Sequence, residues 1–298
     1  MKKLLECVPN FSEGRDLKKI EKIVKPFKGK GGVKLLDYQW DADHNRSVVT
    51  AVGSPQPLQR AVVQAMGVAI DVIDMRRHKG QHPRMGAIDV VPFIPIKNID
   101  MTEAVGISKS VAKKVSQKYS LPVFLYEKSA IQPERCNLAA IRKGQFEGMP
   151  QKLKDPAWRP DYGPTEIHPS AGVTAIGARM PLVAYNVNLD THQLEVATAI
   201  AKNVRHSNGG LRYCKAIGIE LKDRGVVQVS MNMTDYTQTT LYRVFELIRM
   251  EAKRYGVNVV GSEIVGLVPM AALTDTAVYY LGLENFAMEQ VLEARIWE

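Results

Sequence analysis

Between residues 182 and 260 the apolar pattern switches repeatedly between a period of two and a period near 3.6. Nothing else limits the possible folds as much. Strand patterns at 182–189, 211–221, 226–233 and 257–260 alternate with helical patterns at 193–204 and 240–255, and a helical tail is expected over 270–297. That is a β-α-β-β-α-β order, the split arrangement of ferredoxin-like folds.

The first half follows the same order less cleanly. It offers a strand at 3–8, a helix at 16–27, two strands at 33–38 and 47–52 joined by the turn WDADHNR, a helix at 57–77 and a strand at 90–96. An extra helix (102–119) and a last strand (122–126) follow. The opening strand runs into PNFS and its counterpart in the second half into VNLD, so Asn10 and Asn188 occupy comparable places. The expected class is α+β, with two related subdomains at 1–180 and 181–298 and a cleft between them.

Residues 127–179 break the rhythm. Pro133, Pro150, Pro156, Pro160, Pro164 and Pro169 leave room for one short helix, near 134–143. A stretch this long with so little regular structure is usually functional or a linker. GPTEIHPSAG, at 163–172, mixes turn residues with hydrogen-bonding groups and could serve either purpose.

The chemistry concentrates in RRHKGQHPRMGAIDVVPFIP, from Arg76 to Pro95. Gly80 and Pro83 stop any helix there, which puts His82 on a loop beside Arg84, with Asp89 close in sequence. Imidazole changes charge nearest neutral pH, so a positioned loop histidine suits a proton shuttle, with a pH optimum near neutrality set partly by His82. The competing reading is a hydrogen-bonded histidine with no chemical role. His78 and His82 have the spacing of a zinc-binding helix, but the glutamate of that motif is missing and no third ligand lies nearby. No metal is expected.

The bulk properties exclude more than they select. At 298 residues, 45% hydrophobic and 24% charged, the chain has ordinary globular composition. Cys7, Cys136 and Cys214 are odd in number and widely spaced, which favours reduced thiols in the cytoplasm. The opening MKKLL imitates a signal peptide until Glu6, Pro9 and Asn10 end the apolar run, and no segment is apolar enough to span a bilayer. The net charge of +9 is spread along helices without a basic block. It suits an anionic substrate as well as nucleic acid.

Several ordered strings together carry a resemblance: ECVPNFSEG, HNRSVVT, RRHKGQHPRMGAID, VPFIP, LYEKSA, YGP, NVNL and VGSEIVGLVP. On these the chain resembles the formiminotransferase family, and the similarity runs over nearly all of it. The chain ends without a cyclodeaminase portion, so the stand-alone form of the family is expected. The resemblance implies two ferredoxin-like subdomains with a folate-binding cleft or tunnel between them, in a cytoplasmic homodimer without metal. It implies transfer of a formimino group from N-formimino-L-glutamate to the co-substrate tetrahydrofolate. The family's catalytic histidine falls on His82. Its folate-binding segment falls on Gly163, Pro164, Thr165, Glu166, Ile167, His168, Pro169, Ser170, Ala171 and Gly172, with the glycines and prolines matching best.

Some relatives carry a carboxylate where Gln39 stands, so an acidic helper would be Asp37, Asp41 or Asp43. Both substrates are anions, which makes Arg46 and Arg84 candidates for carboxylate recognition. Asn10, Asn186 and Asn188 could bind polar groups from strand ends. Formyl transfer between glutamate and folate is the alternative within the family. An RNA-binding module is the alternative outside it, opposed by 7% aromatic content and the lack of an aromatic strand platform.

Overall fold

The computed structural model describes residues 2–296, and the chain divides after Arg179 into two compact units, each with its own sheet.

The first unit opens with an interrupted strand, β1 (Leu4–Cys7) and β2 (Asn10–Phe11), followed by α1 (Leu17–Val24). The hairpin of β3 (Val33–Asp41) and β4 (Arg46–Gly53) leads into α2 (Pro55–Val72) and β5 (Ile88–Lys97). β1 and β2 both lie between β4 and β5, and β3 pairs with the outer side of β4, all antiparallel. Asp16 starts α1 by accepting hydrogen bonds from the backbone amides of Lys18 and Lys19, which would otherwise lack partners in the first turn.

Beyond this core the sheet grows by two parallel strands. α3 (Met101–Tyr119) leads to β6 (Val123–Glu127), then α4 (Leu138–Arg142) and α5 (Gln145–Lys152) precede β7 (Thr174–Ala178), which sits between β5 and β6. The extension explains why residues 90–96 of β5 read as an apolar run. One face packs under α2 and α3, where Leu58, Ala65, Val111 and Val115 meet Ile88, Val91 and Phe93. The other face is also covered: Val90, Phe124 and Ala175 pack against Ile141 of α4 and Met149 of α5. Strands buried on both faces lose the polar alternation of half-exposed ones.

The second unit comprises β8 (Val183–Leu189), α6 (Leu194–Val204), β9 (Cys214–Leu221), β10 (Val226–Met233), α7 (Leu241–Arg254) and β11 (Val259–Val265), with the sheet order β11-β8-β10-β9, all antiparallel. Matching β8 to β1/β2 and β11 to β5 gives the first unit the same order. Asn10 faces Val48 and Val90, while Asn188 faces Gln228 and Gly261, so the two asparagines sit at corresponding places on corresponding strands.

Several elements differ from expectation. The helix expected over 57–77 stops at Val72, because Ile73 turns extended and the Met75 amide donates to the Ser170 carbonyl at 2.8 Å. In 127–179 the sequence patterns conceal α5, which carries Pro150 inside it, and β7, whose short TAIGA run follows a proline-rich stretch. The strand expected at 257–260 runs on to Val265. The tail is α8 (Met270–Leu281), ended by Gly282 in the left-handed conformation, and a short α9 (Leu292–Ile296); the expected end at Trp297 lies outside the described residues.

Candidate functional site

Three loops of the first unit meet around His82: the SEGR turn after β2, the hairpin turn between β3 and β4, and the long connection from Ile73 to Ala87. Asn45 joins all three. Its backbone is left-handed, with φ of 50°, a conformation asparagine tolerates better than most residues. Its Oδ1 accepts from the Gly14 amide at 2.9 Å and its Nδ2 donates to the Lys79 carbonyl at 2.9 Å. The loops approach so closely that a Cβ on Gly80 would stand 2.3 Å from the His44 carbonyl oxygen. Gln81 adds a backbone bond to the Asp43 carbonyl, and Ser12 Oγ donates to the Gly86 carbonyl.

The hydrogen bonds define the state of each histidine. Arg46 Nη1 lies 2.9 Å from His82 Nε2. A guanidinium only donates, so Nε2 presents its lone pair and the ring proton is on Nδ1. Burial, then the charges of Arg46 and Arg142, then His44 and His78, push the His82 pKa down to about 3. The imidazole is therefore neutral at physiological pH. His78 has the opposite tautomer: its Nε2 donates to the Asn45 carbonyl and its Nδ1 accepts from Arg84 Nε at 3.2 Å. Both ring nitrogens of His78 are thus engaged within the loop. Among the described residues no three His, Cys, Asp or Glu side chains are grouped to hold a metal.

The two arginines expected to bind carboxylates have different surroundings. Arg84 is buried, and all five of its donors are used: on Glu147 through both terminal nitrogens, on Gln145, and on the His78 ring and carbonyl. It has no donor left for a ligand and acts as a pin between the His82 loop and α5. Its charge is also absent from the groups that set His82, so the neighbours governing that imidazole are Arg46 and Arg142. Among the described residues the Arg46 side chain has one hydrogen-bond partner, a neutral ring. Burial and the Arg142 charge lower its pKa, while Asp89 and Asp41 act against them.

Arg142, at the end of α4, is joined to the buried carboxylate of Asp89 on β5. Sequence reading missed it because α4 lies in the proline-rich stretch, far from His82 along the chain. His44 was also missed, though it lies within HNRSVVT; its ring sits edge-on to His82, with centroids 6.5 Å apart. Of the three acidic candidates, Asp41 accepts from the His44 amide at 2.7 Å and from its Nδ1 at 3.0 Å, and Asp43 meets the His82 loop through its carbonyl. Asp37 accepts from Gln39 instead.

The 163–172 segment comes to the same loop. Ala171 and Val173 bracket the approach to β5: the Ala87 amide donates to the Ala171 carbonyl and the Val173 amide to the Met85 carbonyl. Gly86 is required there, since a Cβ would meet the Val173 carbonyl oxygen at 2.1 Å. His168 and Gly172 exchange two backbone bonds, and His168 Nδ1 accepts from the amides of Ser170 and Ala171, closing a tight hairpin. The other end is open. Gly163, Pro164, Thr165, Glu166 and Pro169 are exposed, and Thr165, Glu166 and Ile167 border a hollow of about 520 Å³ that also meets Lys154 and Arg159.

The remaining candidates have other hydrogen-bond partners. Asn10 is half-buried, its Nδ2 on the Val8 carbonyl. In the second unit Asn188 is buried and accepts from Gln228, which also donates to Glu263 beside Asn186.

A neutral, ordered imidazole among basic side chains, next to a partly open segment of turns, is a site suited to proton transfer on anionic small molecules. Residues 4–179 match the family description "Formiminotransferase domain, N-terminal subdomain", and residues 184–296 match "Formiminotransferase domain". The chain is 56% identical over 98% of both lengths to the glutamate formimidoyltransferase of Streptococcus pyogenes serotype M1. It is 44% identical to that of Thermoplasma acidophilum, over 98% of this chain and 97% of the relative. It is also 41% identical to the formimidoyltransferase-cyclodeaminase of Rattus norvegicus, covering 99% of this chain and 56% of that protein. The chain belongs to the formiminotransferase family.

Proposed function

We infer that this protein transfers the formimino group from N-formimino-L-glutamate to tetrahydrofolate, giving 5-formiminotetrahydrofolate and L-glutamate. One observation carries the reading: 56% identity, over nearly the full length of both chains, to a glutamate formimidoyltransferase. The site supports it. Nitrogen-5 of the reduced pteridine attacks the formimino carbon and must lose a proton. The glutamate nitrogen must gain one to leave. A neutral imidazole can accept the first proton and return it to the leaving nitrogen, and His82 is held in the neutral form. Holding both substrates in line supplies the other large contribution to rate.

Within this reading folate contacts the exposed part of 163–172, from Gly163 to Glu166, and the glutamyl tail runs toward Lys154 and Arg159. Arg46 takes part in donor recognition, and Arg84 keeps His78 and the His82 loop in place. Asn10 and Asn188 are offered as polar contacts from corresponding strands. The shared strand order supports reading 1–180 and 181–298 as two ferredoxin-like subdomains. A cytoplasmic homodimer belongs to the same proposal.

The test is L-glutamate release from N-formimino-L-glutamate with and without tetrahydrofolate. Release that depends on tetrahydrofolate is expected. Equal release without it would replace the transferase by a hydrolase.

A further inference from the structure

His82 faces a contradiction in the resting site. Its only basic lone pair, on Nε2, is covered by the Arg46 guanidinium at 2.9 Å. A base in that position cannot take a proton until Arg46 leaves. Arg46 in turn has weak reason to stay, since a neutral ring is a poorer acceptor for a guanidinium than a carboxylate is.

Arg142 is the second cation of the site. One terminal nitrogen holds Asp89, and its buried Nε has no hydrogen-bond partner among the described residues. Arg142 stands near enough for its charge to act on both Arg46 and His82. The charged and titratable groups acting on His82 are Arg46 from β4, Arg142 from α4, His44 from the hairpin turn and His78 from its own loop, and those acting on Arg46 include Asp41 at the end of β3 and Asp89 from β5. Asp41 is half-exposed and accepts from His44, and Asp89 is joined to Arg142, so the one buried carboxylate beside the two guanidiniums is already bonded to Arg142. Such a site has room, electrostatically, for one more anion.

We propose that Arg46 and Arg142 form a two-arginine clamp for a carboxylate of the amino-acid donor, and that filling the clamp draws Arg46 off His82 and exposes the base. The inference rests on the donor assigned above. It adds Arg142 as a recognition residue that no motif pointed to. It also makes His82 competent only when the donor is present, because the incoming carboxylate removes the covering donor and offsets the two guanidinium charges that, after burial, lower the imidazole's proton affinity. Tetrahydrofolate arriving alone meets a histidine that cannot accept its proton.

The experiment is histidine nitrogen NMR on the full-length protein, with L-glutamate as the probe, run beside the release assay. Without glutamate, His82 should stay the neutral Nδ1–H tautomer across about pH 5 to 8. With saturating glutamate, its titration should rise into that window. Arg142→Gln should weaken glutamate binding about ten- to hundredfold, the scale of a lost charged hydrogen bond, and should abolish the His82 shift; Arg142→Lys should recover part of both. The clamp is overturned if glutamate binds the wild-type protein without moving the His82 resonances, or if folded Arg142→Gln binds glutamate as tightly as wild type. It is also overturned if the wild-type protein releases glutamate in a folate-dependent way yet shows no glutamate binding. If Arg142→Gln does not fold, the wild-type titration and Arg142→Lys decide. Loss of folate-dependent release in the wild-type protein would instead remove the donor assignment, so the two failures are distinct.

Discussion

The two units share one frame and use it differently. In the second, the helix before the last strand of the frame joins it through Tyr255 to Asn258 alone. In the first, the same connection runs from Ile73 to Ala87 and carries His78, His82 and Arg84. The hairpin turns differ likewise: the second unit closes with a single helical turn, Lys222–Arg224, and Gly225, while the first places His44 and Asn45 against the long loop. The candidate site of this chain lies on two connections of the shared frame, and α4, between the extra strands β6 and β7, carries Arg142 to the Asp89 carboxylate of β5. A fold that buries its core twice can leave one copy free to carry loops whose packing serves a reaction.

The comparison predicts its own largest effect. His82→Ala should lower turnover about a hundred- to ten-thousandfold, while substitutions in the short Tyr255–Asn258 connection should leave it near wild type, as steady-state kinetics would show. Equal losses at both places would remove the asymmetry.

Ion pairs sharpen it next. In the first unit Arg135 and Asp161 are almost fully buried, and Arg135 also donates to the carbonyls of Ala157 and Arg159. Removing one partner with Arg135→Ala strands a buried carboxylate and should cost about 3–5 kcal/mol in denaturant unfolding. In the second unit the Arg254–Glu251 pair has an exposed arginine, and Arg254→Ala should cost at most about 1 kcal/mol.

Glycines offer a smaller contrast. Gly86→Ala pushes a methyl into the Val173 carbonyl oxygen and should cost about 1–3 kcal/mol and disturb the His82 loop. Gly261→Ala, with open space around it, should change stability by less than about 0.5 kcal/mol.

Acid gives the last contrast. His82 has a folded pKa near 3, below its unfolded value near 6.5, so the unfolded chain takes up the proton first. Its contribution to stability is complete above about pH 6.5 and is lost as pH falls toward about 3. His78 and His168 are shifted downward in the same direction, mainly by burial. Denaturant midpoints should therefore fall between about pH 7 and pH 5, and His82→Gln should flatten part of that slope. In the free site burial and the neighbouring guanidiniums keep the imidazole deprotonated well below neutrality, so a neutral pH optimum set by His82 would be a property of the donor-bound site.

The frame and the loop were legible because their signals are local. Period-two and period-3.6 runs marked nearly every strand and helix of the two frames, and Gly80 with Pro83 marked the His82 loop. What stayed hidden depends on distant partners. The helix before His82 ends at Val72 because Met75 bonds to Ser170, and no propensity in 73–77 foretells that. Arg84 looked like a ligand-binding arginine until Glu147 and His78 took its donors. Arg142 carried no motif; only the folding of α4 over β5 gives it Asp89 and a place near His82. Local rules find elements, whereas a site built from four connections needs the tertiary arrangement.

The central claim is that His82 moves protons and does more than brace its loop. Chemical rescue tests it most directly: folate-dependent glutamate release by His82→Ala, measured against increasing imidazole, with tetrahydrofolate binding followed in parallel. The account predicts a folded variant that binds folate, turns over slowly and regains activity in proportion to added imidazole. Undiminished turnover without imidazole, or a variant that has lost both folate binding and any response to imidazole, would contradict it.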